Sequence, residues 1–370
     1  TLNPNYLIII SISLILLPLL LVFFKLISFF FNRINKFILI FLFFFISLIS
    51  TYFLAEKSFK NEKNIKSKEN IILLVSDSLR YDSIYKKKTL SFLNTLNKEK
   101  NTVHFHNHII GIPRTFPSWI EILSGQYSPQ TGVRHMFPGF SIREKEFSKY
   151  INQFKKLGYK TVVLSNFAGD IFPRFKNGFD EIKTPTLSLP SLIKLGTLQS
   201  FPFFLPLFQT KYLKYFFPEL SADPTLNDPL ELVKNSLNKL NNSDQAIFLV
   251  VFFSAAHFPY AAPWPYYTKF AQQNYQGKYL FQKLPDIKGS DKNLKISDKK
   301  QIKALYSGAL ASIDTAIEYF FNKLKKNKIY NSSLIAITAD HGENLFENNR
   351  GHGHGEHLFG EEVLKVPFIL

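Results

Sequence analysis

The sequence predicts an α/β protein with a doubly wound, mostly parallel sheet, preceded by two transmembrane helices. From about residue 70 onward, short apolar segments alternate with longer stretches of helical periodicity. That alternation is typical of a parallel sheet covered by helices on both faces. Two long apolar segments without charges precede this region. No internal repeat is evident.

Four apolar segments are the predicted strands of the sheet. Each is an almost continuous apolar run, as expected for a parallel strand that is buried on both faces. They are residues 71–75, 160–164, 246–253 and 333–338. The clearest helix is predicted over residues 302–324, where apolar residues recur at helical spacing, with Ser297 or Asp298 as its cap.

The predicted membrane anchor is a helical hairpin in residues 1–55. Residues 7–24 and 37–55 contain no charged residue, and each is close to the roughly 20 residues that span a bilayer as a helix. Lys25, Arg33 and Lys36 lie in the short connection. The paired, long runs disfavour a cleaved signal peptide, and the unbroken apolar faces disfavour two helices of a soluble core. We therefore expect an integral membrane protein.

Residues 56–69 form a charged juxtamembrane linker, and residues 70–370 form the catalytic domain. The positive-inside rule does not settle the orientation, because lysines follow the second span as well as the first. The first residue is Thr1 and the last residues are apolar. We therefore expect a fragment at both ends, with the catalytic domain truncated at its C-terminal end.

Composition excludes several classes of protein. The chain has no Cys, which excludes a disulfide scaffold, a cysteine-ligated zinc module and an enzyme with a Cys nucleophile. Its net charge of +17 comes from scattered lysines rather than a cluster rich in Arg. A nucleic-acid partner is therefore not expected. The lysines form a solvated surface, or alternatively face anionic lipid head groups.

Polar residues follow three of the predicted strands. Asp77 follows the first, His257 follows the third, and Asp340 with His341 follows the fourth. Ligands of doubly wound sheets bind beyond the carboxyl ends of the strands. Taken singly, such an Asp is often a helix cap and such a His is often structural. Together, carboxylates and imidazole are suitable ligands for a divalent cation that neutralises a phosphate or sulfate ester.

Ordered motifs carry a family resemblance from about residue 70 to the end of the chain. They are Asp77-Ser-Leu-Arg-Tyr-Asp82, Pro113-Arg-Thr-Phe-Pro-Ser-Trp119, His257-Phe-Pro-Tyr260 and Thr338-Ala-Asp-His-Gly-Glu343. These motifs resemble the sulfatase branch of the alkaline phosphatase superfamily. The resemblance implies an alkaline phosphatase-like fold and an extracytoplasmic catalytic domain. It also implies a divalent cation (Zn, Mn, Mg or Ca) bound by Asp77, Thr115, Asp340 and His341.

Thr115 departs from the sulfatase pattern. The family's Cys/Ser-x-Pro-Ser-Arg stretch is here Thr115-Phe-Pro-Ser-Trp119, and Thr cannot be converted to formylglycine. A Thr at this position resembles the phosphoethanolamine and glycerol phosphate transferases of the superfamily. Pro117 and the capping-box spacing of Ser118 with Glu121 predict a helix that begins here, with Thr115 at its amino end. Thr115 is the predicted nucleophile. A plain cap, or Ser118 as the nucleophile, are the alternatives.

Two further segments carry candidate binding residues. In the tract His352-Gly-His-Gly-Glu-His357, the resemblance implies a residue that binds the ester or a second metal. His357 aligns best, and His352 and His354 are alternatives, as is a metal-binding tract of purely compositional origin. Residues 189–220 are aromatic and basic, which suits a membrane interface or an insertion into the core.

The predicted function is therefore a membrane-anchored, metal-dependent phosphoryl transferase of the phosphoethanolamine or phosphoglycerol type, or a phosphate ester hydrolase. Thr115 attacks phosphorus, and His257 orients the ester or protonates the leaving group. The resemblance implies a lipid-linked or envelope glycan phosphate ester as the substrate. A sulfatase is one alternative. An inactive membrane scaffold is the other, against which the presence of every expected metal position argues.

Overall fold

The computed structural model describes residues 68–86, 89–96, 98–143, 145–185, 228–282, 294–349, 351–355 and 360–370. The predicted hairpin, almost all of the linker, the aromatic segment 189–220 and His357 lie outside the described residues. In the described ranges, no helix has the length and apolar character needed to cross a membrane.

A seven-stranded sheet forms the centre of the described structure. In chain order the strands are β1 Asn70–Ser76, β2 His104–Phe105, β3 Lys160–Ser165, β4 Glu181–Lys183, β5 Ile247–Phe253, β6 Ser333–Ala339, β7 Asn344–Leu345, β8 His352–Gly353 and β9 Phe368–Ile369. The sheet has the order β2-β9-β6-β1-β5-β3-β4. Strands β6, β1, β5, β3 and β4 are parallel, and β9 is antiparallel to both of its neighbours. Strands β7 and β8 pair separately.

Helices surround this sheet. They are α1 Ser91–Leu96, α2 Thr115–Ser124, α3 Ser128–Thr131, α4 Phe140–Arg143, α5 Lys149–Lys156, α6 Pro229–Asn241, α7 Tyr266–Lys269, α8 Ile296–Lys326 and α9 Glu361–Leu364. Short 3₁₀ turns occupy Tyr81–Tyr85, Phe167–Arg174, Tyr330–Ser332 and Glu347–Asn349.

Strand β5 is apolar throughout because both faces of the sheet are covered. Alternate residues of β5, such as Leu249 and Val251, belong to a core that includes residues of α6 and α8. The intervening Val250 and Phe252 belong to a second core with residues of α2 and α5. Side chains along a strand point to opposite faces, so this division is what a doubly wound sheet requires. The four predicted strands are confirmed, with ends that differ by one residue at most.

Two predicted helix caps are wrong. Helix α8 begins at Ile296 after Lys295, and the Asp298 carboxylate accepts a hydrogen bond from the Tyr275 hydroxyl instead of capping the helix. Helix α2 begins at Thr115, so Ser118 lies inside it and no capping box forms with Glu121. The Glu121 carboxylate instead accepts backbone N–H groups from the loops around it. Tertiary partners thus replace the local caps that the spacing suggests.

Buried Asp314 joins the long helix α8 to helix α1. Its carboxylate accepts the backbone N–H groups of Phe92 and Leu93, both at 2.9 Å, and the hydroxyl of Ser91 at 3.2 Å. These donors are at the amino end of α1, where backbone N–H groups lack partners within the helix. Burial raises the pKa of Asp314, and the hydrogen bonds oppose that rise. Asp314 therefore caps α1 from another element.

We expect Asp314→Ala to lower the free energy of unfolding by about 2–4 kcal/mol, because it leaves buried N–H groups without an acceptor. Thermal unfolding of the purified chain in detergent measures the change. Glu318→Ala, an exposed carboxylate on the same helix, is the matched control and should change stability by less than about 0.5 kcal/mol. Equal effects of the two substitutions would contradict the capping role.

Candidate active site

The carboxyl ends of β1 and β6 place three ionisable residues side by side. Ser76 pairs with Ala339 at the last register position of the two strands. Asp77 follows the first strand, and Asp340 with His341 follows the second. All three side chains are fully buried. Adjacent parallel strands thus deliver two carboxylates and an imidazole to one point, as the sequence predicts.

The imidazole of His341 has a defined orientation. Its Nδ1 lies 2.9 Å from the carbonyl oxygen of Gly342, and a carbonyl only accepts, so Nδ1 carries the proton and donates. The lone pair of Nε2 then faces Thr115 Oγ1 at 3.3 Å, Asp340 Oδ2 at 3.5 Å and Asp77 Oδ1 at 3.6 Å. Burial lowers the pKa of His341 to about 3. The ring is therefore a neutral potential ligand.

Helix α2 packs on one face of the sheet, and its first residue, Thr115, contacts this group. Thr115 is the first helical residue and is buried. Three residues later, the Ser118 hydroxyl donates to the backbone carbonyl of Asp340. Trp119 is fully buried and packs edge-on against Phe172 and Phe252 at 4.8 and 4.9 Å between ring centroids. These contacts fix the helix, and its positive dipole end, at the site.

The donor set fits a divalent cation. Oδ2 of Asp77 and Oδ2 of Asp340 are buried without a hydrogen-bond partner, which is costly for carboxylate oxygens unless a cation binds them. Burial and the Asp77 carboxylate raise the pKa of Asp340 well above its ordinary value, as like charges in one site do. The separations of 3.3–3.6 Å from His341 Nε2 are close to the roughly 3.3 Å between ligand atoms of a tetrahedral ion with bonds near 2.0 Å.

A second group of polar residues surrounds Glu343. Its buried carboxylate accepts hydrogen bonds from the Ser78 hydroxyl at 3.2 Å, from His354 Nδ1 at 2.7 Å and from the Tyr260 hydroxyl. Ser78 also lies 3.0 Å from Asp77 Oδ1. Ligand atoms of His341, Glu343 and His354 lie within 4.8 Å of one another. Because the Glu343 oxygens already have donors, the Asp77, Asp340 and His341 group is the better cation site.

The backbone around Glu343 is strained and closely packed. Ser78 and Tyr260, which both donate to Glu343, have a φ of 59°, a region that side chains rarely adopt and that is enriched at functional sites. A Cβ on Gly342 would lie 2.1 Å from the carbonyl oxygen of Glu362, so only glycine fits between His341 and Glu343. The fold therefore holds this group in one arrangement.

The histidines predicted to bind the ester are placed differently from one another. His257 Nδ1 donates to the carbonyl of Phe258 at 2.6 Å, and its ring lies 5.4 Å from that of His354. The ring of His352 instead packs against Phe258, Tyr260 and Phe346. His357 lies outside the described residues, so its role stays a prediction. Burial lowers the pKa of His354. Electrostatic repulsion lowers it further, and the largest such effect comes from His257.

Sequence reasoning missed Glu343 and ranked His354 below His357. Glu343 is the last residue of the motif Thr338-Ala-Asp-His-Gly-Glu343, but its role depends on hydrogen-bond donors from three distant segments. His354 stands out from its neighbours only through its contact with the His341 ring, at 3.9 Å between centroids, and its bond to Glu343. Gly355 helps to place it, because its carbonyl accepts from Arg114 Nε at 2.8 Å. Spacing along the chain carries no signal for these contacts.

A family model described as Sulfatase matches residues 69–370. The match covers most of the chain, which therefore belongs to the sulfatase family, and the predictions of the family and of an enzyme are confirmed. Comparison with curated proteins gave no match.

Solved structures share the fold at low sequence identity. The phosphonate monoester hydrolase of Agrobacterium radiobacter has a TM-score of 0.55 and 17% identity, over 82% of this chain and 68% of the other. The periplasmic domain of EptC from Escherichia coli, solved in complex with Zn, has a TM-score of 0.55 and 14% identity, over 83% of this chain and 73% of the other. The soluble domain of lipooligosaccharide phosphoethanolamine transferase A from Neisseria meningitidis has a TM-score of 0.52 and 15% identity, over 84% of this chain and 78% of the other. The predicted α/β fold with a mostly parallel sheet is thereby confirmed.

We expect Asp340→Asn to lower the bound metal of the purified chain to below about a tenth of the parent's content, because it removes a charged ligand from a buried site. Elemental analysis after dialysis measures the metal, and a thermal melt reports on the fold. Asp180→Asn, which changes a carboxylate near the opposite edge of the sheet beside Thr161, should keep the parent's metal content. Undiminished metal in the Asp340 variant would contradict the assignment.

Proposed function

We propose that this enzyme is a metal-dependent phosphoryl transferase of the phosphoethanolamine or phosphoglycerol type, or a phosphate ester hydrolase, with Thr115 as its nucleophile. The observation that carries the proposal is the position of Thr115 Oγ1. It lies at the first residue of helix α2, 3.3 Å from His341 Nε2 and beside two carboxylates with unpartnered oxygens. A hydroxyl in that setting is placed to attack an ester held at the helix end.

In the first step the Thr115 hydroxyl loses its proton to solvent, its Oγ1 forms a bond to phosphorus, and the bond between phosphorus and the leaving oxygen breaks. A divalent cation held by Asp77, Asp340, His341 and Thr115 would supply charge neutralisation and make the hydroxyl more acidic. The amino end of α2 faces the anionic oxygens of the ester. Trp119 and Ser118 keep that helix end in place, so the attacking oxygen needs no reorganisation.

His257 is the proposed donor of a proton to the leaving oxygen. Because its Nδ1 donates to the Phe258 carbonyl, Nε2 is the ring nitrogen available to the substrate. His354, fixed by Glu343, lies next to it. Because His354 is neutral and its Nδ1 donates to Glu343, its Nε2 can only accept a hydrogen bond. In the second step an acceptor hydroxyl, or water, attacks phosphorus, the bond from phosphorus to Thr115 Oγ1 breaks, and a proton from solvent restores the Thr115 hydroxyl. His257 then accepts the proton from the incoming oxygen.

Thr favours phosphoryl over sulfuryl chemistry. Sulfatases use a formylglycine made from Cys or Ser, and this chain has Thr at that position and no Cys. The Arg of the sulfatase stretch is replaced by Trp119, which is fully buried in the core beside Phe252. It therefore serves packing and offers no cation to a sulfate ester. Sulfate ester hydrolysis remains the alternative function that the experiment below distinguishes.

The proposed substrate is a lipid-linked or envelope glycan phosphate ester, handled outside the cytoplasm at a membrane surface. This part rests on the predicted hairpin of residues 1–55 and on the periplasmic or soluble domains among the structural neighbours. The E. coli and N. meningitidis proteins are described as a periplasmic domain and as a soluble domain of a transferase.

We expect Thr115→Ala to reduce turnover of aryl phosphate monoesters and diesters by at least about a thousandfold, on the order of 4 kcal/mol of transition-state stabilisation. Ser118→Ala is the matched control, and it should cost at most about a hundredfold, because its hydroxyl acts on Thr115 only through the position of helix α2. Steady-state kinetics with para-nitrophenyl phosphate, its diester and para-nitrophenyl sulfate measure this. A sulfate ester turned over faster than the phosphates, or full activity without the Thr115 hydroxyl, would refute the proposal.

We expect the full chain to stay in the membrane pellet after an alkaline carbonate wash, because two apolar helices of about 20 residues anchor it. A chain that begins at Lys66, where the compact second unit begins, is the control and should be released. Immunoblots of pellet and supernatant measure the distribution. Release of the full chain by carbonate would contradict the anchor.

A further inference from the structure

An exposed aromatic loop follows the helix that carries Thr115. Residues 134–140, here called the aromatic loop, contain Phe137 and Phe140, whose side chains are 76% and 75% exposed. Among the described residues, no other Phe, Tyr or Trp side chain is as exposed as these two. Space around Gly139 is open, with no atom within 4 Å of where a Cβ would lie. In the described residues most of the surface of both rings is open to solvent.

The aromatic loop lies beside the active site. Its Met136 sulfur accepts the backbone N–H of Phe116, the residue after Thr115, at 3.3 Å. Phe137 lies under the guanidinium of Arg174, 5.3 Å from the ring centroid. Phe116, Met136, Phe137, Pro138 and Arg174 line a shallow cavity of about 170 Å³. An apolar surface therefore begins at the amino end of helix α2, on the rim where the substrate would enter.

The charge around the aromatic loop is positive. No acidic residue occurs from Ile122 to Arg143, while the loop itself begins with Arg134, which is exposed. Lys145 is exposed just beyond this segment. Arg174 is paired with Asp170, and Lys145 stands between Glu144 and Glu146 in the sequence, so Arg134 carries the uncompensated positive charge of the loop. Exposed aromatic rings beside basic side chains are the combination that binds at the head-group level of anionic membranes.

We propose that the aromatic loop docks on an anionic phospholipid bilayer, with Phe137 and Phe140 inserted at the head-group level and Arg134 against lipid phosphates. The proposal rests on the proposed function, because it explains how a site on this rim reaches a lipid-linked ester. It adds a surface, a partner and two anchoring residues that the chemistry of Thr115 does not require.

The first test places a fluorophore in the aromatic loop. The full chain is reconstituted in nanodiscs of phosphatidylcholine with phosphatidylglycerol, carrying Phe140→Trp or, as matched control, Leu157→Trp. Leu157 is 57% exposed and precedes β3 at the opposite edge of the sheet. The native Trp119 and Trp264 supply the background emission. We expect lipids brominated on their acyl chains to quench the Phe140→Trp emission at least about twice as strongly as the control, since the docked ring lies at the acyl boundary.

Other occupants give different results in that experiment. If the Phe140→Trp emission is shielded from aqueous acrylamide but not quenched by brominated lipid, another copy of the chain or a segment of its own covers the loop, and the proposal is wrong. If it is open to acrylamide as the control is, the loop is solvent-exposed, and the proposal is again wrong. Quenching that is as strong in pure phosphatidylcholine as with phosphatidylglycerol would remove the role of the anionic lipid.

A kinetic test separates the loop from the chemistry. Phe137→Ser with Phe140→Ser should raise the KM for phosphatidylethanolamine or phosphatidylglycerol in nanodiscs by at least about tenfold, because two interfacial aromatic anchors are lost. The kcat for para-nitrophenyl phosphate in solution should stay unchanged. A parent chain inactive on every phosphate ester would refute the proposed function and leave the fluorescence result to decide the docking. An unchanged KM for lipid in an active enzyme would refute the docking alone.

Discussion

The burial of two carboxylates at the ends of adjacent strands is the constraint on which the rest of the site depends. Asp77 and Asp340 are fully buried, and each keeps one oxygen without a hydrogen bond. Like charges removed from water repel each other and raise the pKa of one partner, as is the case for Asp340. Such a pair is stable when a cation lies between the carboxylates or a proton neutralises one of them. The neutral His341 ring, held by its own backbone neighbour, completes the group without adding positive charge.

The proposed nucleophile, Thr115, is positioned by the packing of helix α2 on the core and by one hydrogen bond from that helix. Trp119 packs α2 onto Phe172 and Phe252, and Ser118 ties the same helix to the backbone that carries Asp340. An error in that packing would move the Thr115 oxygen relative to the carboxylates, and small displacements are expensive in rate. Trp119, which stands where sulfatases have Arg, therefore has two effects. The site lacks a guanidinium at that position that could bind the proposed ester, and the position of the Thr115 hydroxyl depends on the packing of the hydrophobic core.

Much of this arrangement could be predicted from the sequence, and what could not has a common cause. Continuous apolar runs identify β1, β3, β5 and β6, and the residues after those strands meet because parallel strands end at one edge. Local rules failed where a tertiary partner replaced a cap, as at Asp298 and Glu121. Glu343 was missed because its three donors, Ser78, Tyr260 and His354, come from distant segments. The preference for His357 over His354 rested on alignment alone, and His354 is distinguished by its contact with the His341 ring and its bond to Glu343.

Charge around the proposed phosphoryl position favours an ester with a single negative charge. A divalent cation between the Asp77 and Asp340 carboxylates would be balanced by them, and His341 and His354 are neutral because burial lowers the pKa of each. Among the described residues, the remaining positive contributions at the phosphoryl oxygens are the amino end of α2, equivalent to about half a charge, and the Arg114 guanidinium, whose Nε already donates to Gly355. The proton of His257 goes to the leaving oxygen and does not balance these oxygens. A doubly charged monoester would exceed this compensation, whereas a diester matches it. Lipid head groups are joined through phosphodiesters, so the electrostatics of the site and the exposed aromatic rings beside it favour the same class of donor.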